Sequence, residues 1–266
     1  MRNFLGTLLV IITLSSCSEY QKALKSEDVA LKFAKGTELY DAGKYNKANR
    51  LFEQIVPQYR GKPQAEKLMF MHANAFYMMK DYYLSAYRFE QFENAYPKSE
   101  KAEEALFLSA KSYYELSPVY SKEQKETHEA LEKLQLFINK YPESGYISQV
   151  NTMVDELDYK LEKKSFEIAK QYNHISDYEA SITSFDNFLL EFPGTSFKEE
   201  AMFYRLDAAY KLAINSTDRK KEARVNNALA FYSSFKKSFP NSEHISEVDV
   251  MNTELNTISQ QYNTKS

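Results

Sequence analysis

The chain has 266 residues and a net charge of −3, from 34 Lys and Arg against 37 Asp and Glu; hydrophobic residues make up 43% and charged residues 27%. That balance suits a folded chain with a substantial core, and without a basic surplus no nucleic-acid partner is expected. One cysteine allows neither an internal disulfide nor a cysteine-based zinc site. His72, His128, His174 and His244 fall in no metal-ligand spacing, so no metal or other cofactor is expected. Only 6 glycines and 7 prolines occur, with short polar stretches between apolar ones, which favours helices joined by tight turns.

In chain order, the first element is apolar. Phe4 to Leu14 gives too short a run for a membrane span, which needs roughly 20 residues. With Arg2 before it and Ser15 and Ser16 after it, the run has the pattern of a signal peptide. Leu14-Ser15-Ser16-Cys17 resembles the bacterial lipobox. That resemblance implies a diacylglycerol on Cys17, cleavage before it and acylation of the new amine. Several acyl chains satisfy the requirement for stable anchoring. Residues 1–16 are therefore expected to be a lipoprotein signal peptide and 17–28 a lipidated linker; the alternative is an ordinary signal peptide that happens to contain a cysteine. Removing Arg2 takes the side-chain balance to −4. The residues after Cys17 (Ser18, Glu19, Tyr20, Gln21) hold neither an inner-membrane retention aspartate nor an acidic surface-export cluster. By analogy the expected location is the outer membrane, lipid-anchored and facing the periplasm.

From residue 29 onward the chain repeats. Four prolines follow an aromatic and precede a serine or threonine by two residues, at Tyr96–Ser99, Tyr141–Ser144, Phe192–Thr195 and Phe239–Ser242. Eight residues before each proline stand Phe89, Leu134, Phe185 and Tyr232; five before stand Phe92, Phe137, Phe188 and Phe235. With the aromatic beside proline these fall on one helical face. Ser99, Ser144, Thr195 and Ser242 are expected to N-cap the next helix. Ala105, Val150, Ala201 and Val248 follow as small or branched contact residues. An earlier copy has Phe52, Ile55 and Tyr59 in the aromatic columns, Arg60 in place of proline and Leu68 in the small column.

The spacing of these units is 37, 45, 51 and 47 residues, longer than the roughly 34 of tetratricopeptide repeats. The stretch from Gly36 to Ile55 resembles that family most clearly, through Gly36, Leu39, Gly43, Tyr45, Ala48 and Phe52. Extra length falls in unit three (residues 117–128) and unit five (residues 215–226), both expected between the helices of their pairs. The expected fold is all-α: a right-handed α-solenoid of about five tetratricopeptide-like pairs, with a capping helix near Ser242 to Gln260. Its parts are units 1–3 over 29–142, units 4–5 and the capping helix over 143–262, and a tail over 263–266.

No catalytic motif is found: there is no phosphate loop, metalloprotease helix or nucleophile elbow. Glu103-Glu104 and Glu199-Glu200 fall in first helical turns, where carboxylates oppose the dipole. His72 lies on an apolar stripe and reads as a packing histidine. Asp218 to Arg224 is locally basic and reads as a solvated loop or a partner contact. The protein is not expected to be an enzyme.

The combination of lipobox, short linker and five repeats resembles the BamD family, the lipoprotein subunit of the outer-membrane β-barrel assembly machine. Cys17–Ser26, Tyr59–Glu66, Leu134–Ser144 and Leu161–Tyr172 resemble its Bacteroidetes form. The resemblance implies a non-catalytic scaffold whose N-terminal units receive unfolded outer-membrane proteins. Its C-terminal half would dock on periplasmic domains of the barrel-forming subunit, other lipoproteins of the machine being further partners, and lipidated Cys17 would hold it to the membrane. Tyr40, Tyr45, Tyr59, Phe76 and Tyr77 are the candidate client-peptide groove. At the turn His174-Ile175-Ser176-Asp177 the arginine of proteobacterial members is missing, so no docking residue is carried over. Rival readings are a periplasmic repeat protein coordinating cell-wall synthesis and a SusD-like nutrient-binding lipoprotein.

Overall fold

The computed structural model of the chain describes residues 19–263; the signal-peptide segment and Cys17 lie outside them. Among the described residues every regular element is helical, as expected. In chain order they are α1 (residues 19–25), α2 (Val29–Asp41), α3 (Tyr45–Ile55), a 3-10 turn (Val56–Tyr59), α4 (Ala65–Met78), α5 (Tyr82–Ala95), α6 (Ala102–Leu116) and α7 (Lys125–Lys140). Then follow α8 (Ile147–His174), α9 (Tyr178–Glu191), α10 (Lys198–Ile214), α11 (Asp218–Ser238) and α12 (Ile245–Asn263). None of them is long and apolar enough to cross a membrane.

The chain divides into two compact units, Met1–Leu157 and Asp158–Ser266. Unit 1 holds the pairs α2/α3, α4/α5 and α6/α7, closed by the first part of α8, whose Val150, Met153 and Leu157 complete the core of α6 and α7. Unit 2 holds the rest of α8 paired with α9, then α10/α11, then α12. Phe166 and Ala169 of α8 pack with Phe185, Phe188 and Ala201.

The repeat columns are the cores. Phe52, Phe89, Phe92, Phe137, Phe185, Phe188 and Phe235 are all fully buried, and so are Ile55, Leu134 and Leu68. Ala105, Val150, Ala201 and Val248 are also fully buried, where small or branched side chains let helices approach. In the first pair the approach is closer still: a Cβ on Gly36 would lie 2.5 Å from Cε1 of Phe52, so no larger residue fits there.

The aromatic–proline turns are built alike. Tyr96, Tyr141, Phe192 and Phe239 end α5, α7, α9 and α11 with ψ between 58° and 68°, because a following proline disfavours the α region. Each still donates its N–H to the carbonyl of Phe92, Phe137, Phe188 or Phe235. The hydroxyls that follow sit earlier than the expected N-cap. Each α-helix begins three residues after Ser99, Ser144, Thr195 or Ser242, and each hydroxyl accepts the N–H two residues on, at 3.0–3.1 Å. They cap the turn leading into the helix, with helix formation delayed by one 3-10-like turn.

The turns inside the pairs use a left-handed residue. Gly43 has φ 69°, and Lys80 and Ser176 take φ 62° and 65° at the matching positions. The next N–H reaches back to Leu39, Phe76 or Tyr172 in a Schellman pattern. The unit five insertion differs from expectation. Asp218 to Arg224 is not a loop but the first turns of α11, a helix of 21 residues. Its start is favoured by Asp218 at the N-terminus and by the Thr217 carbonyl, which accepts from Lys220 and Lys221.

Candidate binding surface

The five groove candidates all lie in unit 1, and their burial separates them. Tyr59 and Phe76 are 6% and 5% exposed. Tyr59 stacks on Phe33 at 5.3 Å, and Phe76 meets His72 edge-on at 5.0 Å. Tyr40, Tyr45 and Tyr77 keep part of their surface exposed. Tyr40 meets Tyr45 edge-on at 5.4 Å and takes a hydrogen bond from the Asn74 amide. Tyr77 packs separately, against Tyr82 at 5.7 Å. Burial raises the phenol pKa of Tyr40, Tyr59 and Tyr77, which keeps them neutral as hydrogen-bonding or packing groups.

His72 is 2% exposed and faces Asn49 across α4 and α3, Nδ1 lying 2.5 Å from Oδ1. Burial, with the Arg88 charge adding to it, holds its pKa down at about 4. The imidazole is therefore neutral at physiological pH, a packing histidine as the stripe implies.

A second set of residues, on the first helices of the pairs, makes contacts that the sequence did not predict, even where Glu103 and Glu199 stand out as first-turn carboxylates. Glu66, Glu103 and Glu162 accept the hydroxyls of Ser99, Ser144 and Thr195 at 2.5, 2.5 and 2.8 Å. Four residues further along stand Phe70, Phe107 and Phe166, and Phe203 takes the same place after Glu199. Over these rings lies the side chain two residues past the capping hydroxyl: Lys101, Tyr146, Phe197 and His244 respectively. One hydroxyl thus ties a turn to a carboxylate of the preceding pair, while a neighbouring side chain covers that pair's phenylalanine. The signal was a Glu-x-x-x-Phe pattern present four times.

In unit 2, Asn173 donates to Asp207 at 2.8 Å, and Lys211 pairs with the same carboxylate at 2.6 Å. Beside them is a cavity of about 310 Å³ with Lys170, His174 and Tyr204 also in its wall. Glu200, Glu243 and His244 bring one ligand atom each within 4.8 Å of one another, the one group among the described residues close enough to share a metal ion. His244 Nε2 lies 2.9 Å from Glu200. The histidine spacing of the sequence did not reveal this group, because it holds a single histidine and Glu200 lies 44 residues before it.

These features define a class: an all-α helical-repeat protein. The chain matches the family described as YfiO: Outer membrane lipoprotein over residues 26–225, and it belongs to that family. No curated protein matches it in sequence. Among 26 matching chains of solved structures, the TPR2AB-domain:pHSP90-complex of yeast Sti1 aligns at 12% identity and a TM-score of 0.38, covering 86% of this chain and 98% of that one.

Proposed function

We propose that the protein is a non-catalytic scaffold lipoprotein of the outer-membrane β-barrel assembly machine, of the BamD type and in its Bacteroidetes form. The family match from residue 26 to residue 225 carries this reading, and the lipobox-like Leu14–Cys17 agrees with it. Cys17 carries the acyl chains that hold the protein to the periplasmic face of the outer membrane. Unit 1 receives unfolded outer-membrane proteins, with Tyr40, Tyr45 and Tyr77 offering aromatic surface and Tyr59 and Phe76 supporting it from the core. Unit 2 docks on periplasmic domains of the barrel-forming subunit.

Purification of the detergent-solubilised protein should recover the barrel-forming subunit. Recovery of cell-wall synthases or a glycan transporter in its place overturns the reading. Cys17→Ala should release the protein from the membrane fraction; tight membrane association without lipid would refute the anchor.

A further inference from the structure

Phe70, Phe107, Phe166 and Phe203 hold the same place in four successive pairs, yet only three of them are sealed. Tyr146 stacks on Phe107 at 4.1 Å and 8°. Phe197 lies on Phe166 at 5.0 Å and 18°, and His244 on Phe203 at 3.9 Å and 15°. Those three phenylalanines are 4–5% exposed. Over Phe70 the covering residue is Lys101, its ammonium 5.3 Å from the ring centroid and paired with Glu104 at 2.6 Å. Phe70 remains partly exposed.

A lysine cannot fill the space of a planar ring. Where its sisters have an aromatic side chain, Phe70 has a cavity of about 390 Å³, with Met71, Phe92, Pro63, Lys67, Lys101 and Glu66 in its wall, the Glu66 carboxylate engaged by the Ser99 hydroxyl. Phe89 and Phe92 brace the Phe70 ring edge-on from below, at 5.5 and 5.4 Å. The volume falls within the roughly 300–1,000 Å³ of ligand-sized sites.

We propose that this cavity binds an aromatic side chain of an extended polypeptide. The incoming ring takes the position over Phe70 that Tyr146, Phe197 and His244 take over their own partners. The three sister turns identify the occupant: each shows a flat ring laid on the equivalent phenylalanine, and such pairs gain energy beyond the area they bury. Lys101 adds a cation at the ring. The cavity opens to solvent, so the chain bearing the ring can continue along the surface, and Lys67 on the rim favours an acidic residue beside the aromatic. The proposal rests on the reading of unit 1 as a receiver of unfolded chains only in choosing a polypeptide as the carrier of the ring.

The test uses the full chain and fluorescent decapeptides of Ser, Gly and Asp carrying one Phe, Tyr, Leu or Ala beside an Asp, with affinity read by anisotropy. The Phe and Tyr peptides should bind about two- to tenfold more tightly than the Leu peptide, the scale of one stacked aromatic contact, and more tightly again than the Ala peptide. Lys101→Tyr supplies the missing ring from within, as Tyr146 does one pair later. It should lose the preference for aromatic peptides while its thermal midpoint does not fall. Glu104→Gln breaks the same Lys101 ion pair without filling the cavity and should keep the preference. Equal binding of Phe and Leu peptides, or an unchanged preference in Lys101→Tyr, overturns the proposal. If that happens while the barrel-forming subunit is still recovered, the assembly reading stands without this pocket. If the preference holds and the subunit is not recovered, the pocket stands without that reading.

Discussion

The hairpin α6/α7 with the first part of α8, in unit 1, and the hairpin α10/α11 with α12, in unit 2, are two castings from one mould. Phe137 answers to Phe235, and Val150, Met153 and Leu157 answer to Val248, Met251 and Leu255. Tyr146 on Phe107 answers to His244 on Phe203. Tyr114 donates to Glu156 as Tyr210 does to Glu254. What differs is the segment inside each hairpin. In unit 1, residues 117–124 are not helical and fold around Gln124, which is 3% exposed. Its amide donates to the carbonyls of Val119 and Lys122 at 2.9 Å, and its Oε1 accepts from Thr127 at 2.7 Å. In unit 2 the corresponding segment is absorbed into α11, leaving residues 215–217 as the connection. The stacked ring and the apolar column at the joint between pairs are copied in these two modules, its carboxylate contact changes from Ser144–Glu103 to His244–Glu200, and the inside of a pair varies most.

The largest expected effect tests the copied part. Phe137→Ala and Phe235→Ala should each cost about 3–5 kcal/mol, the usual penalty for emptying a fully buried aromatic site, measured by urea unfolding. A cost near 1 kcal/mol at either position would mean that the two cores are not equivalent. A smaller effect tests the divergent part. Gln124→Ala leaves two carbonyls and the Thr127 hydroxyl short of a partner and should cost about 1–3 kcal/mol. No single residue of 215–217 should match it, since none of them is buried with as many bonds.

The smallest effect is a matter of pH. The hydrogen bond to Glu156, then burial, pushes the Tyr114 phenol up to about 12; Glu254 and burial do the same for Tyr210. The folded state favours the neutral phenol, so this stabilisation is complete below pH 10 and is lost as pH climbs through about 12. Tyr114→Phe and Tyr210→Phe should each flatten the fall of the thermal midpoint between pH 10 and 12. An unchanged slope in one of them would break the equivalence of the two modules.

Much of this was legible in the residues. The aromatic–proline–hydroxyl turns and their flanking columns mark the second helix of each pair, because proline, aromatic and hydroxyl lie at fixed offsets within one short stretch. The partners on the first helices were not legible from those prolines. Glu66 precedes Ser99 by 33 residues and Glu162 precedes Thr195 by 33, but Glu103 precedes Ser144 by 41, because residues 117–124 intervene. A column search anchored on proline loses register there. The segment Asp218 to Arg224 was misread for another reason. Charged residues report solvation, and a solvated helix face and a solvated loop have the same composition. Among the groove candidates, aromatic identity did not separate the half-buried Tyr40, Tyr45 and Tyr77 from the buried Tyr59 and Phe76, since both sets lie at helical spacing.

The bonds from Ser99, Ser144 and Thr195 to Glu66, Glu103 and Glu162 bear on how such a chain can change over generations. Each fastens the end of one pair to the beginning of the same pair, so whatever lies between is a loop with clamped ends. Lengthening a clamped loop is cheap, on the order of 0.6 kcal/mol for each doubling. Residues added inside a pair therefore leave its junction with the next undisturbed. New contact surface can be grafted into the middle of a repeat without redesigning the seam that joins it to its neighbour.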